Sequence, residues 1–387
     1  ELTSITAPQL NIGRTTSSSI AVSDVINLSA GTDTLHLVSG GEVSQSGTIT
    51  VPNLAVEAAG RVLLNVVGNY VDTIAISSAD AINFKESDGF TVGDVDGVLG
   101  IRAVSGVNLG TTASGDVVIS DTGAANDVEA GTTLTVSVSG SDRKLVIASG
   151  AQLESTGGAH TYVADKMDLG GTINAAGQSI TLRSLQNGQS IDLGSTTDTA
   201  TNTLELSDAE LDGLTADVVR IGLPSGASGP LTITSELTPA GTDTLHLVSG
   251  GEVSQSSTIT VSNLAVEAGA DVNLLATNDV DTVALRGTSG AVNFVEGNGF
   301  GVGTVDGVDG IHVSSGSLGL TALSGDITVR DTAAAYDVEA GKTLTVIVSG
   351  SDRKLVIASG SQLESTGGAH SYVADKMDLG CRIKAAG

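Results

Sequence analysis

The sequence predicts an all-β fold, a parallel β-helix (β-solenoid) that forms an elongated rod. Three observations favour it: short segments with apolar residues at alternate positions, turns rich in glycine, and a long internal repeat. Aromatic residues make up only 2% of the 387 residues, and tryptophan is absent. Large rings usually dominate a compact core, whereas Val, Leu and Ile fill thin stacked coils. The composition therefore favours a solenoid over a β-sandwich or a β-barrel.

Short segments of alternating apolar and polar residues recur along the chain, and each is expected to form a strand. They are 34–39 (TLHLVS), 48–51, 54–58, 73–77, 133–139, 144–149 and 180–184. Clusters of Gly, Ser, Asn and Asp lie between them and supply turn conformations at low steric cost. With ~20 residues in each coil and a rise of ~4.8 Å, the chain would form about 19 coils and a rod roughly 90 Å long.

One segment comes close to a helical pattern. Residues 208–222 (DAELDGLTADVVRIG) contain spaced apolar residues, but the related segment 1–13 contains Pro8. Proline in a helix interior removes a hydrogen bond and clashes with the preceding turn. The sequence therefore predicts no helix here.

The chain repeats itself with a displacement of 209 or 210 positions. The matching pairs are 31–58 with 241–268, 127–177 with 337–387, and 1–13 with 210–222. The first pair differs at two positions, and 44 of 51 positions are identical in the second. Such self-similarity is typical of stacked repeat architectures.

The repeat divides the chain into a first long unit, 1–209, and a second, incomplete copy, 210–387. Both would belong to one continuous β-solenoid. The second copy lacks the counterpart of 178–209. We therefore expect the chain to be part of a longer array.

The chain is strongly acidic. It has 17 Lys and Arg against 44 Asp and Glu, a formal net charge of −27 at pH 7. A polyanion would be repelled by most of such a surface, so nucleic acid is not an expected partner. The charge also keeps a chain rich in apolar residues soluble at high local density.

A single cysteine, Cys381, excludes an intrachain disulfide. It replaces Gly171 of the first copy, and Arg382 and Lys384 replace neutral residues beside it. The change is interpreted either as a possible intermolecular contact at Cys381 or as drift in a coil under no selection.

Several segments resemble the repeats of filamentous-haemagglutinin-like exoproteins, the secreted passengers of two-partner secretion in Gram-negative bacteria. They are 34–60, 89–101, 187–195 (NGQSIDLGS) and 204–222. The resemblance implies a right-handed parallel β-helix and a secreted protein, extracellular or at the cell surface. It also implies an outer-membrane transporter as partner of the parent protein, although the family's amino-terminal secretion domain is not visible in this chain.

The expected function is that of a non-catalytic shaft in a surface adhesin or extracellular fibre. Such a shaft would project an adhesive element or assemble end to end. The alternative is a carbohydrate-active β-helix enzyme, a polysaccharide lyase or hydrolase. Residues of suitable type are Asp142, Arg143, Lys144, Glu154 and Asp165, with duplicates Asp352, Arg353, Lys354, Glu364 and Asp375. Active sites are usually single, so this duplication favours the shaft.

Carboxylates near glycine are weak candidates for calcium ligands: Asp94, Asp96, Asp306 and Asp309. A calcium loop needs six or more oxygens, and Asp before Gly is common in turns, so solvated turns are the favoured interpretation.

Histidines lack the spacing of zinc ligands. The alternation in 34–39 predicts that His36 and its duplicate His246 are exposed or at an edge. No cofactor is expected.

Overall fold

The computed structural model describes residues 2, 5–223, 227–380 and 382–385. Cys381, the candidate for an intermolecular contact, lies outside the described residues. The chain divides into two compact units, the first comprising 1–185 and 213–217, and the second 186–212 and 218–387. Within the described residues, no helix is long and apolar enough to cross a membrane.

The strands of the first unit are short and are separated by turns. They are β1 Gln9–Arg14, β2 Ile20–Val22, β3 Ile26–Asn27, β4 Thr34–Ser39, β5 Val43–Gln45, β6 Ile49–Ala58, β7 Val62–Leu64, β8 Tyr70–Ser78, β9 Ile82–Glu86, β10 Phe90–Val92, β11 Asp94–Val95, β12 Val98–Leu99, β13 Ile101–Ala103, β14 Val107–Thr111, β15 Val117–Ile119, β16 Val128–Ala130, β17 Leu134–Ser137, β18 Lys144–Ile147, β19 Gln152–Ser155, β20 His160–Val163, β21 Lys166–Leu169 and β22 Thr172–Arg183.

The next elements belong to the second unit, except that residues 214–217 of β25 belong to the first. They are β23 Ser190–Leu193, β24 Thr203–Leu206, α1 Asp208–Asp212, β25 Leu214–Gly222, β26 Leu231–Ile233, β27 Thr244–Ser249, β28 Val253–Gln255, β29 Thr260–Ala268, β30 Val272–Gly287, β31 Val292–Glu296, β32 Phe300–Val302, β33 Thr304–Val305, β34 Val308–Asp309, β35 Ile311–Val313, β36 Leu318–Ala322, β37 Ile327–Val329, β38 Val338–Ala340, β39 Leu344–Val348, β40 Lys354–Ile357, β41 Gln362–Ser365, β42 His370–Val373, β43 Lys376–Leu379 and β44 Arg382–Ala385.

Each unit is a parallel β-helix, as the sequence predicts. In the first unit, the strands of the coils pair in parallel with strands one coil further along the chain, whereas β11 and β12 pair antiparallel with each other. One column of aligned residues is Ile12, Leu37, Val56, Ile76, Ile101, Val128, Leu153 and Ile173. From Leu37 to Ile173 these side chains are buried. Because each coil covers the next, the narrow interior of each coil is shielded from water.

The second unit repeats this construction. Its corresponding column is Ile221, Leu247, Val266, Leu285, Ile311, Val338, Leu363 and Ile383. The two columns contain only Leu, Val and Ile. Aliphatic side chains of similar volume therefore form the core of both units.

The coils are less uniform than the sequence predicts. Aligned partners are 19 residues apart between Leu37 and Val56 but 27 apart between Ile101 and Val128. Longer turns, and one inserted hairpin in each unit, account for coils of more than 20 residues. The estimate of about 19 coils is therefore too high for coils of this length.

The four phenylalanine rings lie inside, whereas Tyr70 is exposed. Phe84 and Phe90 are buried and meet edge to face with ring centroids 5.2 Å apart, and Phe294 and Phe300 repeat the contact at 5.1 Å. An edge-to-face pair fills more space than aliphatic side chains can.

The helix α1 corrects the prediction for 208–222. A capping box starts this short helix: Ser207 precedes it, and Glu210 Oε2 accepts hydrogen bonds from the backbone N and the hydroxyl of Ser207, both at 2.7 Å. The rest of the segment forms β25. The argument from Pro8 fails because the helix ends before the part of the segment that aligns with Pro8.

The predicted strands are present, with some changes in length. TLHLVS is β4, while 48–51 and 54–58 join into the single strand β6. The joined strand pairs with β3 through Ile49 and Thr50 and with β4 from Asn53 to Ala58.

Candidate functional site

A short hairpin is inserted into one coil of each unit. In the first unit, β11 and β12 pair antiparallel, with Asp94 opposite Leu99. The two residues at the tip, Asp96 and Gly97, have φ values of 52° and 79°. Positive φ at both positions is typical of a type I′ turn, for which Asp-Gly is a preferred sequence. In the second unit, β33 and β34 have the same turn at Asp306 and Gly307.

The hairpin lies flat on the outer face of the sheet. Val95 and Val98 form a buried cluster with Ala55 and Ala75, two outward-facing residues of neighbouring coils. A larger side chain at either alanine would occupy the hairpin's place. Val305, Val308, Ala265 and Ala284 form the same cluster in the second unit.

The hairpin covers His36, so the prediction that His36 and His246 are exposed is wrong. His36 does face outward from β4, as its alternation requires, but it is only 7% exposed. Its Nδ1 lies 2.6 Å from Asp96 Oδ2 and its Nε2 lies 3.1 Å from Glu57 Oε1. His246 is similarly buried. The hairpin that covers His36 contains Asp96, which lies 60 residues further along the chain.

The second unit adds arginines to this arrangement. His246 Nδ1 lies 2.6 Å from Asp306 Oδ2. Arg220 donates from Nε to Oδ2 of Asp306 at 2.6 Å and from Nη2 to Oδ1 at 2.5 Å. Arg286 Nη1 donates to Glu267 Oε2 at 2.9 Å. The cluster therefore holds three cationic or basic groups around two carboxylates.

These contacts shift the pKa values of His246 and Asp306 in the charged cluster of the second unit. Burial acts to lower the pKa of His246, but the interactions with Glu267 and Asp306 outweigh it and raise the pKa. Burial likewise acts to raise the pKa of Asp306, and the hydrogen bonds from Arg220 and His246 outweigh it and lower the pKa. Ion pairing therefore determines the charge state of this site.

The clusters hold the hairpin in place and are poorly suited to proton transfer. Both ring nitrogens of His36 face carboxylate oxygens, so neither is directed towards a substrate. A general base needs a ring nitrogen within hydrogen-bonding reach of the proton that it removes. The geometry favours a structural role.

A column of side chains that are charged or polar after an initial valine, here named the outer column, runs beside each cluster. In the first unit it contains Val38, Glu57, Ser77, Arg102, Glu129 and Glu154. In the second it contains Val248, Glu267, Arg286, His312, Glu339 and Glu364. Ion pairs link neighbours, for example Arg102 with Glu129 at 2.9 Å.

The weak calcium candidates do not converge. Asp94 Oδ1 accepts a hydrogen bond from the backbone N of Gly97 at 3.2 Å, and Asp309 Oδ1 accepts one from the Thr304 hydroxyl at 2.6 Å. Asp96 and Asp306 contact the histidines. Among the residues that the structure describes, no group of three or more His, Cys, Asp or Glu could hold a metal ion.

The residues considered for polysaccharide chemistry fall into two places. Asp165 is buried and accepts hydrogen bonds from the backbone N atoms of Asp142 and Leu185 at 3.2 and 3.1 Å. Glu154 lies on β19 in the outer column, where Asn126 Nδ2 donates to it at 2.7 Å. In the second unit, Asp375 accepts a hydrogen bond from the Asp352 backbone N at 2.9 Å.

Sequence reasoning missed the groups that complete the clusters, Glu57, Glu267, Arg220 and Arg286. One signal was available: Val-Asp-Gly-Val, two valines around Asp-Gly, is a strong short-range hairpin pattern in both copies. It predicts a hairpin but does not show which residues the hairpin covers.

Comparison of the chain with protein-family models, curated proteins and solved structures finds no match. The resemblance to filamentous-haemagglutinin-like repeats therefore stays a prediction.

Proposed function

We propose that the chain is a non-catalytic structural segment of a secreted bacterial surface protein. It would serve as the shaft of an adhesin or extracellular fibre, either projecting an adhesive element or assembling end to end. Export through an outer-membrane transporter and a cell-surface location belong to the same proposal, which takes them from the resemblance of the repeats.

The observation that carries the proposal is the duplicated structural use of the polar side chains. The buried carboxylate of Asp127 accepts backbone hydrogen bonds from Thr122 and Gln152 at 2.6 and 2.7 Å. Asp337 accepts the same bonds from Thr332 and Gln362. Groups that could serve catalysis thus close turns instead, at the same place in each unit.

The stacked coils suit a load-bearing role. Parallel hydrogen-bond ladders and buried aliphatic columns connect each coil to its neighbours. The net charge of −27 would hold neighbouring shafts apart. Adding coils would then extend reach without requiring a new core.

Incubation of the purified chain with acidic and neutral polysaccharides separates this proposal from the enzyme alternative. We expect no new reducing ends and no unsaturated products. Product formation that is lost in both Asp165→Asn and Asp375→Asn variants with intact β circular dichroism would contradict the proposal.

Small-angle X-ray scattering tests the predicted rod. A compact chain of this length would have a radius of gyration of about 21 Å. We expect a clearly larger value, and a value at the compact limit would remove the basis for a shaft. Negative-stain images test end-to-end assembly, which predicts fibres of a single width.

A further inference from the structure

The two hairpin clusters surround equivalent carboxylates with different groups. In the second unit, Arg220 occupies both oxygens of Asp306, and Arg286 occupies Oε2 of Glu267. Arginine binds carboxylates through paired, charge-assisted hydrogen bonds. Both acids of this cluster are therefore neutralised from within the chain.

In the first unit, asparagine takes the place of the first arginine. The parallel register aligns Asn11 with His36, as it aligns Arg220 with His246. The Asn11 side chain carries no charge and makes no hydrogen bond to Asp96; Gln9 Nε2 donates to Asp96 Oδ2 at 2.5 Å instead.

Serine takes the place of the second arginine. The register aligns Ser77 with Glu57, as it aligns Arg286 with Glu267. Ser77 is too short to form the ion pair that Arg286 forms. The carboxylate of Glu57 is left with His36 as its basic neighbour.

The oxygens that the arginines occupy in the second unit are open in the first. Asp96 Oδ1 and Glu57 Oε2 accept no hydrogen bond from the part of the chain that the structure describes. Their side chains are 28% and 49% exposed, so an incoming group can reach them. Asp306, by comparison, is 9% exposed beneath Arg220.

A cavity of about 320 Å³ lies between these acids, lined by Glu57, Ser77, Asp96, Leu99 and Arg102 among others. The guanidinium of Arg102 is already paired within the outer column. We propose that this cavity binds a guanidinium group, the arginine side chain of a partner protein, in the manner in which the second unit binds its own arginines. A planar group with five N–H donors fits two carboxylates better than a compact ammonium does.

This inference does not depend on the shaft proposal, since a rod without the site would still be a rod. Titration of the full chain with acetyl-Gly-Arg-Gly-amide at low salt, followed by calorimetry, tests it directly. We expect one saturable site per chain and at least tenfold weaker binding when citrulline, which is neutral, replaces arginine. Absence of saturation, or equal binding of the citrulline peptide, would overturn the proposal.

A matched variant fills the site with arginines at the positions where the second unit has them. Asn11→Arg with Ser77→Arg copies the second unit, and we expect at least tenfold weaker peptide binding with unchanged circular dichroism. Should the double variant not fold, Asn11→Arg alone, which covers Asp96, should still weaken binding severalfold. Unchanged affinity in a folded filled variant would rule out the site.

The reciprocal variant removes the arginines that cover the two carboxylates of the second unit. Arg220→Asn with Arg286→Ser leaves Asp306 and Glu267 without guanidinium partners, so we expect two peptide sites per chain instead of one. A stoichiometry that stays at one would show that the arginines do not make the difference between the units.

Discussion

At the scale of single residues, the most informative groups are titratable side chains that point into the core. His160 occupies a position in an aliphatic column, with Leu134 one coil before it and Ile180 one coil after it. Its Nδ1 lies 2.9 Å from the hydroxyl of Tyr162, and both side chains are fully buried. A pair of polar rings in an otherwise apolar stack makes the stability of the first unit dependent on pH.

The first prediction concerns acid. Burial lowers the pKa of His160 from 6.5 to about 4, so the unfolded chain takes up a proton before the folded chain does. The contribution of His160 to the free energy of unfolding should therefore fall as the pH decreases from 6.5 to 4, by ~3 kcal/mol in all. Denaturant titrations over this range measure the slope.

A double variant provides the control. His160→Leu with Tyr162→Phe removes the histidine and the hydroxyl that would lose its partner, and it should remove most of this acid dependence. The equivalent change at the partly exposed His370 and Tyr372 should have a smaller effect. An unchanged slope in the first variant would contradict the assignment.

The second prediction concerns Glu86, whose contribution to stability changes with pH in the opposite direction to that of His160. Burial raises the pKa of Glu86 from 4.5 to about 7, against hydrogen bonds from the backbone N atoms of Gly89 and Asp88, both 2.6 Å long. The folded chain retains this proton longer than the unfolded chain. The contribution to stability is thus present below pH 4.5 and is lost as the pH rises through 7.

Compared with the unchanged chain, the Glu86→Gln variant should show a melting temperature that falls less, or rises more, as the pH rises from 4.5 to 7. Burial also raises the pKa of the duplicate Glu296, so Glu296→Gln should act in the same direction. If neither variant changes the pH dependence, these carboxyl groups are solvated in the folded protein.

At the scale of elements, the hairpin β11–β12 shows how a local turn and a distant face depend on each other. The Asp-Gly turn can form from local sequence alone. The hairpin can dock only because β6 and β8 present alanines outward at Ala55 and Ala75. The ion pair with His36 then fixes the tip.

The third prediction tests this docking. Gly97 has φ of 79°, and a Cβ added there meets no atom within 4 Å, so Gly97→Val acts first through backbone strain. The strain should cost about 1–2 kcal/mol and loosen the hairpin. Carbethoxylation of His36, followed by mass spectrometry, should become faster.

Gly123→Val is the matched control, because Gly123 also has a positive φ, 76°, and open surroundings but lies outside the hairpin. It should leave the reactivity of His36 unchanged. Equal acceleration in both variants would mean that general destabilisation, rather than hairpin opening, exposes the histidine.

At the scale of the whole molecule, the repeat predicts how stability is distributed. In a solenoid each coil contacts only its neighbours, so energetic changes remain local and unfolding departs from two-state behaviour. Leu54 and its duplicate Leu264 are both fully buried. The same substitution can therefore be made at equivalent core positions of the first and second units.

The fourth prediction follows. Leu54→Ala and Leu264→Ala should each cost about 2–5 kcal/mol through a cavity. Hydrogen exchange read by mass spectrometry should show faster exchange in coils near the changed residue and little change in the other unit. Loss of protection along the whole chain in either variant would contradict local coupling.

Local patterns in the sequence are enough to predict the fold class and most of the strands. Alternation in TLHLVS and the duplicated segments are local patterns, and parallel stacking buries the apolar side of each strand whatever lies outside the coil. The same alternation placed His36 on the outer face, and that placement is correct.

What covers that face depends on contacts between segments that are far apart in the chain. Asp96 follows His36 by 60 residues, and no pattern in either segment states that the hairpin folds back over the histidine. Contacts between distant coils depend on where each turn directs the chain, which local periodicity does not encode. For the same reason, the difference between Asn11 and Arg220 acquires meaning only once Arg220 is found paired with Asp306, at the register position that Asn11 occupies in the first unit.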